Sequence, residues 1–182
     1  MPSSPPETIE LPAGVLSRLR ETDAENVAAA VLASLEHLRP WMPWATFEAT
    51  RADVQLERCH DAATSWQSGS DYQYVLKPDR DGPVIGAFGL HRRIGPESIE
   101  IGYWMHADHA GHGYATAAAR ALTEAALGLP EVARVEIHTD EANVISAAIP
   151  RRLGYRLDRV DGREPEAPAE TGRLQIWVMD RS

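Results

Sequence analysis

After Asp23 the apolar residues Val27, Val31, Leu35 and Leu38 recur at helical spacing until Pro40 closes the run, which predicts an amphipathic helix over Ala24 to Leu38. An alanine- and charge-rich stretch predicts a second helix from Arg51 to Gln67. The third, Gly113 to Leu127, is rich in Ala and Leu without a β-branched cluster, a composition that loses little side-chain freedom on coiling; Gly128 and Pro130 end it. A short fourth helix is expected over Ser146 to Leu153, stopped by Gly154.

Elsewhere the pattern is extended. Thr8 to Arg20 mixes apolar and polar residues around Gly14 and reads as one strand or two short ones. YQYVLKP, VIGAFGLHR and SIEIGYWM are strand-like runs separated by Asp, Gly and Pro turns, and they predict an antiparallel meander. ARVEIHTD alternates as a further strand; the last two are Tyr155 to Val160 and Arg173 to Met179, joined by the acidic, Pro-rich loop DGREPEAPAETG from Asp161 to Gly172. With no internal repeat, this order predicts an α+β (layered α/β) fold: a mixed, mostly antiparallel, twisted sheet of about seven strands with helices on both faces.

A length of 182 residues suits one domain over residues 1–182, with the Pro/Ser-rich residues 1–7 expected to be frayed. The single cysteine, Cys59, has no internal disulfide partner, and no paired-Cys spacing marks a structural zinc site, which fits a reducing cytoplasm. The start MPSSPPETIELP lacks the basic and apolar blocks of a secretory signal, and no run approaches the ~18 apolar residues of a membrane span, so no membrane partner is expected. The formal charge of −9 argues against tracking nucleic-acid phosphates and favours cationic partners.

The stretch HADHAGHGYAT, His106 to Thr116, offers two chemistries. His106, His109 and His112 are three apart, a spacing that points them to different sides of a helix or opposite faces of a strand, so they converge on no metal. If instead SIEIGYWM ends near His106 and a helix begins near Gly113, the turn presents free N–H groups at the positive end of a helix dipole. Gly111 and Gly113 would let a phosphate reach those amides and would accept the positive φ that such a nest requires.

That turn resembles the signature of the GNAT superfamily of acetyl-CoA-dependent N-acetyltransferases, Gln/Arg-x-x-Gly-x-Gly/Ala. Gly113 and Ala115 match it and Gly111 lies within it, whereas Ala110 stands where the family has Gln or Arg. HLRPWMPWA, IEIGYWM and NVISAAIPRRLGY are similar, in the same order, to the branch containing the ribosomal-protein N-terminal acetyltransferases. The resemblance implies one GNAT-type domain, acetyl-CoA as cosubstrate, no metal, and pyrophosphate binding by His106, Gly111, His112, Gly113, Tyr114 and Ala115. His112 or a further backbone contact would replace the side chain missing at Ala110. It also implies an oxyanion-binding amide around Met105 where two strands splay, Asn143 on the pantetheine arm, and Ser146 near the thioester sulfur.

Acetyl transfer to an amine needs a neutral nucleophile, and an α-amine titrating near ~8 asks less of a base than a lysine near ~10.4. Glu100 leads as base and acceptor-binding group, with an exposed strand charge as its plainer role; His138 is the second candidate base. Ser146 is a proton donor or a helix cap, and Tyr155 is the reserve donor. Trp41, Trp44 and Trp66 lie near connections that overhang the acceptor site in this superfamily; the core or a homodimer surface would use them equally well. The expected acceptor is a peptide or protein N-terminus. Small amines such as aminoglycosides, polyamines or amino acids, and a non-catalytic acyl-CoA-binding module, are the alternatives.

Overall fold

The computed structural model describes residues 3–181. Among them are eight strands: β1 Thr8–Leu11, β2 Gly14–Arg18, β3 Asp71–Lys77, β4 Gly86–His91, β5 Ser98–Met105, β6 Arg134–Asp140, β7 Arg156–Gly162 and β8 Arg173–Asp180. The helices are α1 Ala24–Ala33, α2 Leu35–Leu38, α3 Ala52–Ser68, α4 Tyr114–Leu127 and α5 Val144–Leu153. One sheet runs β1-β2-β3-β4-β5-β6-β8-β7, antiparallel throughout except where β6 joins β5. The expected seven strands become eight because Gly14, at φ +151°, opens a second short strand rather than continuing the first.

Period-2 alternation sends side chains to the two faces. Phe88, Leu90, Ile99, Ile101, Val135 and Ile137 face one side, packed in one core with Ala118, Leu122 and Ala126 of α4. On the other side Val75 packs with Val27 and Val31 of α1, which covers only part of that face. Toward the opposite ends of β3 and β4, and on β5 and β6, the uncovered residues are polar: Asp71, Gln73, His91, Glu100, Glu136 and His138.

Three boundaries differ from the sequence expectation. The helix predicted over Ala24 to Leu38 breaks at Ser34, whose buried hydroxyl accepts the Ala107 N–H at 3.0 Å and so ties the break to the segment after β5. α5 begins two residues earlier than expected, with Asn143 and not Ser146 as its cap: the Asn143 side chain accepts from the Ser146 amide at 3.1 Å. The start of the chain is not frayed over the described residues 3–7, since the Tyr74 hydroxyl donates to Pro6 O at 2.8 Å and Pro5 is buried; residues 1–2 lie outside the described residues.

Candidate active site

β5 and β6 pair in parallel only at Ser98, Ile99 and Glu100, then diverge. The Glu97 carbonyl accepts from Arg134 on the β6 side, and at the far end His106 donates its amide to Ile85 on the β4 side. Alternation between these points turns the N–H groups of Ile101, Tyr103 and Met105 into the gap that β6 has left. The expected splay is present, and the Met105 amide faces it.

Two cavities adjoin this gap. A groove of about 340 Å³ is lined by Met105, Ala110, Gly111, Gly113, Ala115 and Arg152, among others. Gly111 and Gly113 have φ of +80° and +86°, and a Cβ at either would enter open space, so only a glycine conformation keeps this approach to the backbone clear. With the free N–H groups at the start of α4 and the Arg152 guanidinium, the groove suits a polyanionic ligand. Ala110 lines the groove with its side chain packed on the core and has no side-chain donor to offer an anion.

A larger cleft, about 700 Å³, lies over the polar part of the other face and is lined by Trp41, Trp44, His91, Glu100 and His138, among others. Trp44 packs against Trp104 with ring centroids 5.9 Å apart and planes tilted by 57°, and carries the Arg58 guanidinium over its ring at 5.2 Å. The loop after β7 helps to roof it. Arg163 pairs with Glu166 at 3.1 Å and Glu170 at 2.5 Å, and Ala169 N donates to Pro40 O at 2.9 Å, just before Trp41.

Trp41, Met42, Tyr103, Trp104, Asn143 and Ser146 line both cavities, so the cavities meet at these residues. The junction has a local cause in α5. Pro150 has no N–H to give to the carbonyl four residues back, Ser146 O, and the Tyr103 hydroxyl takes that place at 3.3 Å while lying 3.2 Å from Ser146 Oγ. Burial pushes the Tyr103 phenol up to about 12, so it is a protonated donor at neutral pH.

Glu100 lies in the cleft as expected, but it is buried and clamped by Arg93 through two bonds of 2.7 Å. Burial alone would raise its pKa; the Arg93 hydrogen bonds, with the charges of His138, Arg93 and His91, outweigh burial and hold it below the ordinary carboxylate value. Such a group is ionised at neutral pH and a weak base, better suited to holding an ammonium than to deprotonating one. His138 Nε2 lies 2.6 Å from Glu136 and its Nδ1 3.8 Å from Glu100, so both ring nitrogens face carboxylates.

Several sequence expectations are corrected. Tyr155 lies in the core with its hydroxyl 2.6 Å from Thr123 Oγ1 and lines neither cavity, because β7 starts one residue later and leaves it under α4. Trp66 packs edge-on to Tyr72 and Tyr74 in the core. The side chains of His106, His112 and Tyr114 stay out of the groove, the His106 ring accepting from Asp108 N to brace the turn and His112 being exposed, while the Tyr114 backbone N–H is among the free donors at the start of α4. His109 lines it instead. Among the described residues no group of three His, Cys, Asp or Glu is placed to hold a metal ion. Cys59 is buried, its thiol pushed up to about 11 by burial, and it lines neither cavity.

Sequence reasoning missed Tyr103, His91 and Arg152. Tyr103 was legible only as one more apolar residue of β5, whereas Pro150 inside a helical run was a signal that some donor must reach Ser146 O.

A Bacillus subtilis (strain 168) protein provisionally described as the ribosomal N-acetyltransferase YdaF is 29% identical over 146 residues, 75% of this chain and 74% of that protein. The ribosomal-protein-S5-alanine acetyltransferase of Vibrio fischeri superposes with a TM-score of 0.87 at 14% identity, over 96% of this chain and 97% of that one. Mycobacterium smegmatis RimJ, solved with a CoA-disulfide, superposes with a TM-score of 0.84 at 22% identity, over 98% and 88%. The profile of the acetyltransferase (GNAT) domain matches residues 15–156, spanning the splayed strands, the glycine turn and the junction of the two cavities, and the chain belongs to the GNAT acetyltransferase family.

Proposed function

We propose that this N-acetyltransferase passes the acetyl group from acetyl-CoA directly to the α-amine of a peptide or protein N-terminus. The observation that carries the reading is the meeting of two chemically different cavities at Tyr103, Asn143 and Ser146, beside the gap between β5 and β6. Acetyl-CoA supplies an acetyl thioester. Gly111, Gly113, Ala115 and Arg152 fit its phosphates, and Asn143 and the edge of β5 fit its pantetheine arm, which can pair like a strand where β6 is absent.

In the larger cleft the ionised Glu100 holds the acceptor's ammonium between the indoles of Trp41 and Trp44. The Met105 amide stabilises the oxyanion, and the Ser146 hydroxyl, backed by Tyr103, protonates the departing thiolate. No covalent acyl-enzyme is required, because no ionisable thiol lines either cavity. An N-terminal acceptor is favoured by the relatives described as acting on ribosomal proteins and by the open polar cleft.

Thiol release measured with peptides of varied first residues, beside polyamines, amino acids and aminoglycosides, tests this. Peptides with free α-amines should outrun the same peptides blocked at the terminus but carrying lysine. Preference for a small amine overturns the acceptor, and no thiol release with any amine overturns the activity.

A further inference from the structure

Across β3 and β4 runs a chain of side chains that the transfer chemistry described above leaves unused. The Gln73 amide donates to Asp71 Oδ1 at 2.8 Å, and Asp71 Oδ2 lies 2.6 Å from His91 Nδ1. A carboxylate only accepts, so it fixes the tautomer with the proton on Nδ1 and leaves a lone pair on Nε2. Both oxygens of Asp71 thus serve to hold one imidazole.

The sheet has been cleared for that ring. Gly89 and Gly102 are register partners on β4 and β5, and His91 lies across both. A Cβ at Gly89 would come within 2.5 Å of His91 Cε1 and Nε2, and one at Gly102 within 3.0 Å of Nε2. Nothing larger than glycine fits beneath the ring without moving it. The side chain is 15% exposed, lines the acceptor cleft, and makes no hydrogen bond through Nε2 among the described residues. The rival bases are already engaged: His138 faces carboxylates with both nitrogens, and Glu100 is held ionised by Arg93, able to accept from an ammonium but a weak base.

We propose that His91 is the general base of the transfer, with Asp71 and Gln73 as its positioning residues; this rests on the acetyltransferase activity. The acceptor ammonium gives one proton to His91 Nε2 and its nitrogen bonds to the thioester carbonyl carbon; the C–S bond then breaks as the thiolate takes the Ser146 hydroxyl proton, and the second proton lost by the amine nitrogen restores that hydroxyl, leaving a neutral amide and the free thiol. His91 releases its proton to the solvent in the cleft. The charged and titratable groups that share the cleft with His91 are Asp71 on β3, Glu100 and Tyr103 on β5, His138 and Asp140 on β6, Arg58 on α3, and Arg93, Arg163, Glu166 and Glu170 in loops.

The test is the pH profile of kcat/KM with an α-amine peptide in the parent, His91→Gln, His91→Asn and Asp71→Asn, beside acetyl-CoA binding and ¹⁵N imidazole spectra. The parent should show a limb between about pH 5 and 8, where imidazoles titrate. Either His91 variant should lose that limb and ~10²–10⁴ in kcat while still binding acetyl-CoA. Asp71→Asn should move the His91 spectrum away from the Nδ1–H tautomer and also lower kcat and displace the pH limb with the acetyl-CoA KM held; the change in rate and pH profile is what a purely structural role would not produce.

A limb that survives both His91 variants, or that disappears with His138→Gln instead, overturns the proposal. So does a parent spectrum showing the proton on Nε2. These failures leave the acetyltransferase reading standing, whereas a parent that releases no thiol with any amine removes that reading and the base with it.

Discussion

Ser146 and Tyr103 show how a single residue type elsewhere can create a site. Pro150 frees the Ser146 carbonyl, Tyr103 binds it, and the two hydroxyls come together where the cavities join. Because Asn143 caps α5 through the Ser146 backbone amide, Ser146→Ala keeps the cap. We expect its melting temperature to stay within a degree or two of the parent while kcat falls by ~10² or more, the loss of a proton donor. Tyr103→Phe should give a smaller loss, and the double variant should lose less than the two combined, since both belong to one hydrogen-bonded pair. Stopped-flow thiol release on the four proteins measures this; additive losses would separate the hydroxyls. The donor role proposed for Ser146 follows from the resemblance of NVISAAIPRRLGY to the family's motif. The role of Tyr103 was not legible in the sequence, because which face of a strand meets a helix end is a tertiary fact.

At the scale of elements, the connection between β7 and β8 is a strap more than a solvated loop. Buried Asp140, at the end of β6, accepts from the amides of Ala142, Thr171 and Gly172 and from the Thr171 hydroxyl, at 2.9 to 3.1 Å. Burial would raise its pKa, but these donors outweigh burial and hold it below the ordinary aspartate value. The sign follows: the latch contributes fully above the unfolded value, ~3.9, and is lost as pH falls from there through the lower folded value. Protection of the Thr171 and Gly172 amides, their exchange rate taken relative to the intrinsic rate at each pH, should therefore be high at neutral pH and fall below about pH 4. Asp140→Asn should be faster at neutral pH and less stable by about 1–3 kcal/mol, the scale of hydrogen bonds to a charged group. Exchange in the variant that matches the parent at neutral pH would show that the latch does not hold the loop. In the same connection Arg163 pairs with both Glu166 and Glu170, so replacing either glutamate would loosen the strap as well as change its charge.

For the whole molecule, the groove and the sheet must be stabilised together by whatever fills them. A ligand bound only by the folded chain at ~100 times its dissociation constant adds about 2.7 kcal/mol, so acetyl-CoA should raise the melting temperature by several degrees. Gly113→Val should abolish most of that rise. Its φ of +86° strains any β-branched residue, and the added side chain would occupy the open approach to the amides of α4. Calorimetry with and without acetyl-CoA decides it; a full shift in the variant would place the cofactor elsewhere. The net charge of −9 belongs to this scale too, and it favours cationic acceptors without selecting one.

The local elements were determined by the sequence itself, because period, caps and turns are short-range: the meander, the helix after Gly113, the glycine turn and the alternation that puts Glu100 in a cleft all follow from neighbours along the chain. Family membership was legible for the same reason, from motifs each contained in a dozen residues. Only the tertiary structure decided which polar residues face one another. Asp71 and His91 are 20 residues apart, and Tyr103 and Ser146 are 43 apart. Their meetings depend on strand register and on where β6 leaves β5, and register is set by the packing of whole faces, which no local window contains.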